Sequence, residues 1–146
     1  MSRLTMKIVL LFLAIFVSTS VSAEGHLGRW VVDKITTSHI SNLTAEEASR
    51  FIGLQLYFQP NQASSGSEDC SEISYREELF SERELHSYHK VFFSDLGVQG
   101  IEQVSNIEVF CNSKPWYEFG AFIIQAGSKV FISYSGYIYE LRSKNT

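Results

Sequence analysis

The feature that most limits the fold of this chain is a succession of strand-like segments in its last third, joined by turns too short to hold anything else. Segments 104–111, 118–125, 129–135 and 137–142 are rich in Ile, Val, Phe and Tyr, residues that suit a pleated, half-buried surface. Between the last three lie Ala126-Gly127-Ser128 and Ser135-Gly136, lengths that fit hairpin turns. Strands joined this way run antiparallel in a meander. Long apolar edges invite aggregation, so curling the sheet into a barrel is the economical solution.

The other end of the chain sets its address. Arg3 and Lys7 precede an unbroken apolar run from Ile8 to Val17, and Val21-Ser22-Ala23 places small residues where a signal peptidase reads. The run is half of the roughly 20 residues needed to span a bilayer. Residues 1–23 are therefore expected to be a secretory signal peptide, and residues 24–146 a single secreted or periplasmic domain with no membrane anchor after cleavage. Loss of Arg3 and Lys7 leaves ten Lys plus Arg against sixteen Asp plus Glu and moves the formal charge from −4 to −6. An acidic balance excludes nucleic acid, which demands a basic face, and suits a basic protein partner. In an oxidising compartment, the two cysteines, Cys70 and Cys111, are expected to form a disulfide.

Earlier segments add helices. Trp30 to Ile35 reads as a first strand, with Trp30 and Val32 on one face and Val31, Asp33 and Ile35 on the other; residues 36–41 read as a turn. Thr44 and Glu47 have capping-box spacing, good helix formers follow, and Gly53 stops the helix. Leu54, Leu56 and Phe58 alternate with polar neighbours as a strand that Pro60 ends, and residues 61–69 read as a flexible loop. Residues 70–75 read as a further strand. Ser81 and Glu84 repeat the capping box, which predicts a second helix over residues 82–91.

Gly28-Arg29-Trp30, at the head of the first strand, resembles the Gly-x-Trp signature of lipocalins and their calycin relatives. The resemblance implies a small up-and-down barrel in which Trp30 plugs the closed end and Arg142 packs across its ring as a cation–π partner. The first helix likewise resembles the helical lid of fatty-acid-binding relatives. The expected fold is thus mainly β (α+β), an antiparallel meander closing into a lipocalin-like barrel with two short helices and one disulfide.

Nucleophile and phosphate-loop motifs are absent from the sequence, and no catalysis is expected. His86 and His89, with Glu82 a turn earlier, have metal-like spacing but lack a fourth ligand nearby, so neither metal nor cofactor is expected. Trp116, Tyr134, Tyr137 and Tyr139 combine flat rings with polar tips and are the candidates to hold a small apolar or amphipathic ligand. The alternative is an inhibitor or immunity protein that blocks a basic secreted or cell-wall hydrolase, with Glu68, Asp69 and Glu72 entering its cationic cleft.

Overall fold

The structure, a computed structural model, describes residues 25–144; the expected signal peptide lies outside the described residues. Among them, no helix is long and apolar enough to cross a membrane. The chain folds into one antiparallel sheet that curls into a half-barrel, with two helices and one disulfide, as its patterning predicts.

The first strand, β1 (Gly28–Ser38), lies between β2 (Gln55–Phe58) and the last strand, β10 (Tyr137–Ser143). Beyond β2 come β3 (Ala63–Ser65) and β4 (Glu68–Cys70). Beyond β10 come β9 (Lys129–Tyr134), β8 (Phe122–Ala126), β6 (Val104–Cys111) and β5 (Ile73–Phe80). The two-residue β7 (Lys114–Pro115) folds back on β6. Among the described residues, strand pairing ends at β4 on one side and β5 on the other.

The curl follows partly from irregularities in β1. Its pairing with β10 skips a residue between Val32 and Lys34 and again between Ile35 and Thr37. Each bulge bends a strand and increases its twist. The first also corrects the expected alternation: the inserted residue moves Ile35 to the same side as Val32, where it packs on the core. Residues 36–38 continue β1 because their ladder to β10 runs on to Ser38 opposite Tyr137.

A second correction concerns residues 61–69. They form the β3–β4 hairpin, in register from Ala63 opposite Cys70 to Ser65 opposite Glu68. Gly66 has φ +60 at the first central position of the two-residue turn, a conformation natural to glycine. Ala63, Ser65 and Cys70 are buried, so a segment polar in composition still has an inward face. The strand expected over residues 70–75 is split accordingly between β4 and β5.

Both helices begin where their caps predict. In α1 (Ala45–Ser49) the Thr44 side chain accepts from the Glu47 N–H, and the Glu47 carboxylate accepts from the Thr44 N–H at 2.8 Å. The Thr44 N–H, helped by the Thr44 hydroxyl, holds the Glu47 carboxyl below the usual range. The helix is shorter than the expected run to Ile52, because the Phe51 and Ile52 N–H groups bond three residues back. In α2 (Glu82–His89) Ser81 and Glu84 repeat the arrangement, and Lys90 ends the helix at φ 61. A 3₁₀ turn (Phe93–Leu96) follows.

Two apolar cores result. The inner one, on one face of the sheet, gathers Val32, Leu56, Phe58, Ile107, Ile123 and Ile132, among others. The outer one lies between the opposite face and α2 with its following turn, where Leu85, Val91 and Leu96 meet Val104, Ile124 and Phe131.

Candidate functional site

The expected ligand residues come from three neighbouring segments. Tyr134 and Tyr137 face each other across the Ser135-Gly136 turn, at the end of the β9–β10 ladder. The φ values of 48° and 82° at Ser135 and Gly136 give the hairpin its tight reversal. Tyr139 stands further in, opposite Ile132.

These residues do not all share one surface. Tyr139 is fully buried, its hydroxyl donating to the Ala48 carbonyl at 3.0 Å and so fixing α1 on the end of the half-barrel. Burial, with Tyr137 and Tyr134 nearby, pushes its phenol up to about 12. Tyr137 donates to the Leu43 carbonyl at 3.4 Å. Phe51, which the sequence does not single out, stacks on the buried Phe119 with ring centres 4.6 Å apart. Tyr134 lies 5.1 Å from Phe51 and Tyr139 lies 4.9 Å from Phe119. This end of the half-barrel is filled by its own aromatics.

Trp116 and Tyr134 do meet at a surface. Together with Tyr117, Glu118, Phe122 and Ser133 they line an open groove of about 220 Å³. Trp116 is largely buried beneath it, whereas Tyr117 is 84% exposed at its rim. Trp116 is held by its backbone N–H, which donates to the Val109 carbonyl at 3.0 Å. The groove therefore has a fixed aromatic floor, an exposed aromatic wall and polar groups at Glu118 and Ser133. It can hold a flat ring with a polar substituent.

Trp30 and Arg142 are not brought together. Arg142 pairs with Val31, so its side chain leaves β10 on the face opposite Trp30. Its guanidinium lies 3.7 Å from Asp33. Trp30 packs against the inner core and donates to the His26 carbonyl at 2.8 Å. The guanidinium that does cover a ring in this region is that of Arg29, 5.0 Å above Tyr57.

Glu68 and Asp69 sit on β4 and Glu72 on the turn that leads to β5, all exposed. They are carried on a fastened element: Cys70 is bonded to Cys111 across 41 residues, and the Asn112 N–H donates to the Glu72 carbonyl at 2.9 Å. Asp69 also borders a second groove of about 240 Å³, with Tyr57, Gln59, Gln62, Ser64 and Ser71.

The two histidines with metal-like spacing have other uses. His89 turns under α2, with Nε2 at 2.7 Å from the Asn106 side-chain oxygen and Nδ1 at 2.9 Å from Ser133 Oγ. Burial holds its imidazole below the usual histidine range, against the opposing effect of the Asn106 bond. His86 stacks on Phe92 with centres 4.1 Å apart, and the Glu82 carboxylate takes the Phe93 N–H at 2.8 Å.

The fold defines the class, an antiparallel β half-barrel fastened by one disulfide. No family model, curated protein or solved structure matches the chain.

Proposed function

We propose that this chain is a noncatalytic extracytoplasmic binding protein of lipocalin-like type, which holds a small amphipathic molecule on the Trp116–Tyr134 groove. The lipocalin likeness is supported by the sheet: the first strand lies between the second and the last, as in an up-and-down barrel. The observation that carries the ligand reading is the groove itself, with Trp116 as its floor and Tyr117 exposed beside it. At about 220 Å³ it is smaller than the 300–1,000 Å³ of most ligand pockets, which fits one ring and not a long chain. Covering about 100 Å² of ligand carbon contributes roughly 2.5 kcal/mol. Affinity is then weak unless Glu118 and Ser133 add hydrogen bonds.

The test uses tryptophan fluorescence. The chain has two tryptophans, so in a Trp30→Phe variant Trp116 alone reports. Titration with ring-bearing amphiphiles should perturb its emission, and Tyr134→Ala should weaken that response. If no compound alters Trp116 emission at millimolar concentration, the reading is wrong.

A second reading, an inhibitor or immunity protein against a basic cell-wall hydrolase, is favoured by the fastening of Glu68, Asp69 and Glu72 near the disulfide. A preorganised acidic edge loses less entropy on binding than a flexible loop. Asp69 beside its groove of about 240 Å³ suits a lysine or arginine side chain of the partner. Replacing the three carboxylates by Ala should abolish inhibition of a basic wall hydrolase. Unchanged inhibition would exclude this surface.

A further inference from the structure

We propose that the open edge of β5 is a self-association surface, which joins two copies of this chain through a continuous sheet.

Only part of this edge is open. β5 pairs with β6 on one side and, among the described residues, ends the sheet on the other. At its start, the Ile73 N–H points outward and donates to the Asn61 carbonyl at 2.9 Å, so the edge is covered there. Peptide groups alternate along a strand, so those of Tyr75, Glu77 and Leu79 also point outward. At the far end Ser81 caps α2. The open stretch is therefore residues 75–79, centred on Glu77.

That stretch is complementary to itself when reversed. Antiparallel pairing about a two-fold axis at Glu77 sets Tyr75 opposite Leu79 of the second copy and Arg76 opposite its Glu78. Because the outward peptide groups are those of residues 75, 77 and 79, this register makes its hydrogen bonds at those positions. Arg76 and Glu78 then fall at the closer, non-hydrogen-bonded positions, where side chains interact most. Both are well exposed, at 60% and 58%; within one copy they already pair with each other at 3.8 Å, and Arg76 also pairs with Glu108, so the second copy's Glu78 joins an existing ion-pair cluster. Leu79 is an exposed leucine, 58% accessible, on a strand otherwise defended by charge. Pairing sets it beside the Tyr75 position of the second copy, whose side chain is turned into its own core with its hydroxyl donating to the Gln59 carbonyl at 2.7 Å. Moving the axis to Arg76 or Glu78 puts like charges face to face and loses the Arg–Glu match.

The Arg76 guanidinium has to be shared with its own Glu78 and Glu108, and the Glu77 pair is unfavourable outright. Its carboxylate already accepts from Ser105 Oγ at 2.7 Å, and two such groups meet across the axis. This and the short paired length place the contact among small, transient interfaces. The expected dissociation constant is on the order of 10–100 μM.

Sedimentation equilibrium of the purified, disulfide-bonded protein from about 5 to 500 μM, a range that brackets this affinity, tests the proposal. Dimer should form within it. Leu79→Asp and Glu78→Arg should each weaken it roughly tenfold or more, and Glu77→Gln should tighten it about two- to fivefold. Thermal unfolding identifies any variant that acts by misfolding. Independently, Glu77→Cys should give an intermolecular disulfide on mild oxidation, because hydrogen-bonded antiparallel pairs sit about 5.5 Å apart at Cα. Glu68→Cys on the β4 edge should not. A monomer throughout the range overturns the proposal. So does a dimer that is insensitive to Leu79→Asp and gives no cross-link in the Glu77→Cys variant.

Discussion

Replacing Cys70 and Cys111 together by Ala should cost this domain a large share of its stability. The bond spans 41 residues, for which the chain-entropy relation gives about 13 cal/mol/K, or about 4 kcal/mol at 25 °C. Cys70 is 5% exposed, so losing its sulfur from the inner core adds a further ~1 kcal/mol. Domains of this kind are stable by only about 5–15 kcal/mol, so the variant should fold marginally. Urea unfolding at pH 7, followed by fluorescence, reads the change. For an m-value of about 2 kcal/mol/M the midpoint should fall by roughly 2.5 M. The m-value itself should rise, because an unfolded chain without the cross-link exposes more surface. Amide exchange should quicken first in β3 and β4, since β4 is an edge strand that pairs with β3 alone. A midpoint shift below about 0.5 M would refute the reasoning. It would mean that the unfolded chain keeps these two ends close even without the sulfurs.

Two other outcomes are expected of the folded domain. His89→Ala removes both ring contacts and leaves buried Asn106 without the Nε2 partner, a loss of about 1–3 kcal/mol by thermal or urea unfolding. In the wild type this histidine is held below its unfolded pKa, so the unfolded state binds the extra proton first. Its contribution should be complete above pH ~6.5 and decline as pH falls below that, a slope that His89→Ala abolishes. Gly136→Ala places a Cβ 2.5 Å from the Ile40 carbonyl oxygen at φ +82, and should destabilise by about 2–4 kcal/mol in urea unfolding. Near-wild-type stability would show that the Ile40 segment yields to the added methyl.

What the sequence made legible was local. The Thr44–Glu47 and Ser81–Glu84 caps, the Gly127-Ser128 and Ser135-Gly136 reversals and the cysteine pair all depend on residues close in the chain or on chemistry alone. Features set by register were not legible. Where Arg142 points depends on which β1 residue it faces, and that is decided by ladders and bulges along the whole strand. Residues 61–69 looked like a loop because Ser and Gly dominate their composition, while the inward face of β3 needs only Ala63 and Ser65. The candidate site was half legible. Trp116 and Tyr134 share a groove, yet Tyr139 is claimed by the Ala48 carbonyl and by Phe51 and Phe119 from distant segments. Helical spacing placed His89 beside His86, but its partners on β6 and β9 were invisible to that pattern.

The pairing of β1 with β10 has a consequence for how the chain reaches this state. Trp30 lies opposite Ser143, and the Lys144 N–H closes on the Arg29 carbonyl at 2.9 Å, so the central ladder joins residues far apart in the polypeptide. A chain delivered from its N-terminus, whether from a ribosome or through a membrane pore, presents β1 first and its partner last. Until β10 arrives, β1 has a long side without a neighbour. Ladders of such sequence separation form slowly, and unpaired strands are vulnerable meanwhile. Truncating the last strand of the sheet, Tyr137–Ser143, therefore removes more than an outer strand. It deletes the keystone that lets the two halves of the sheet meet.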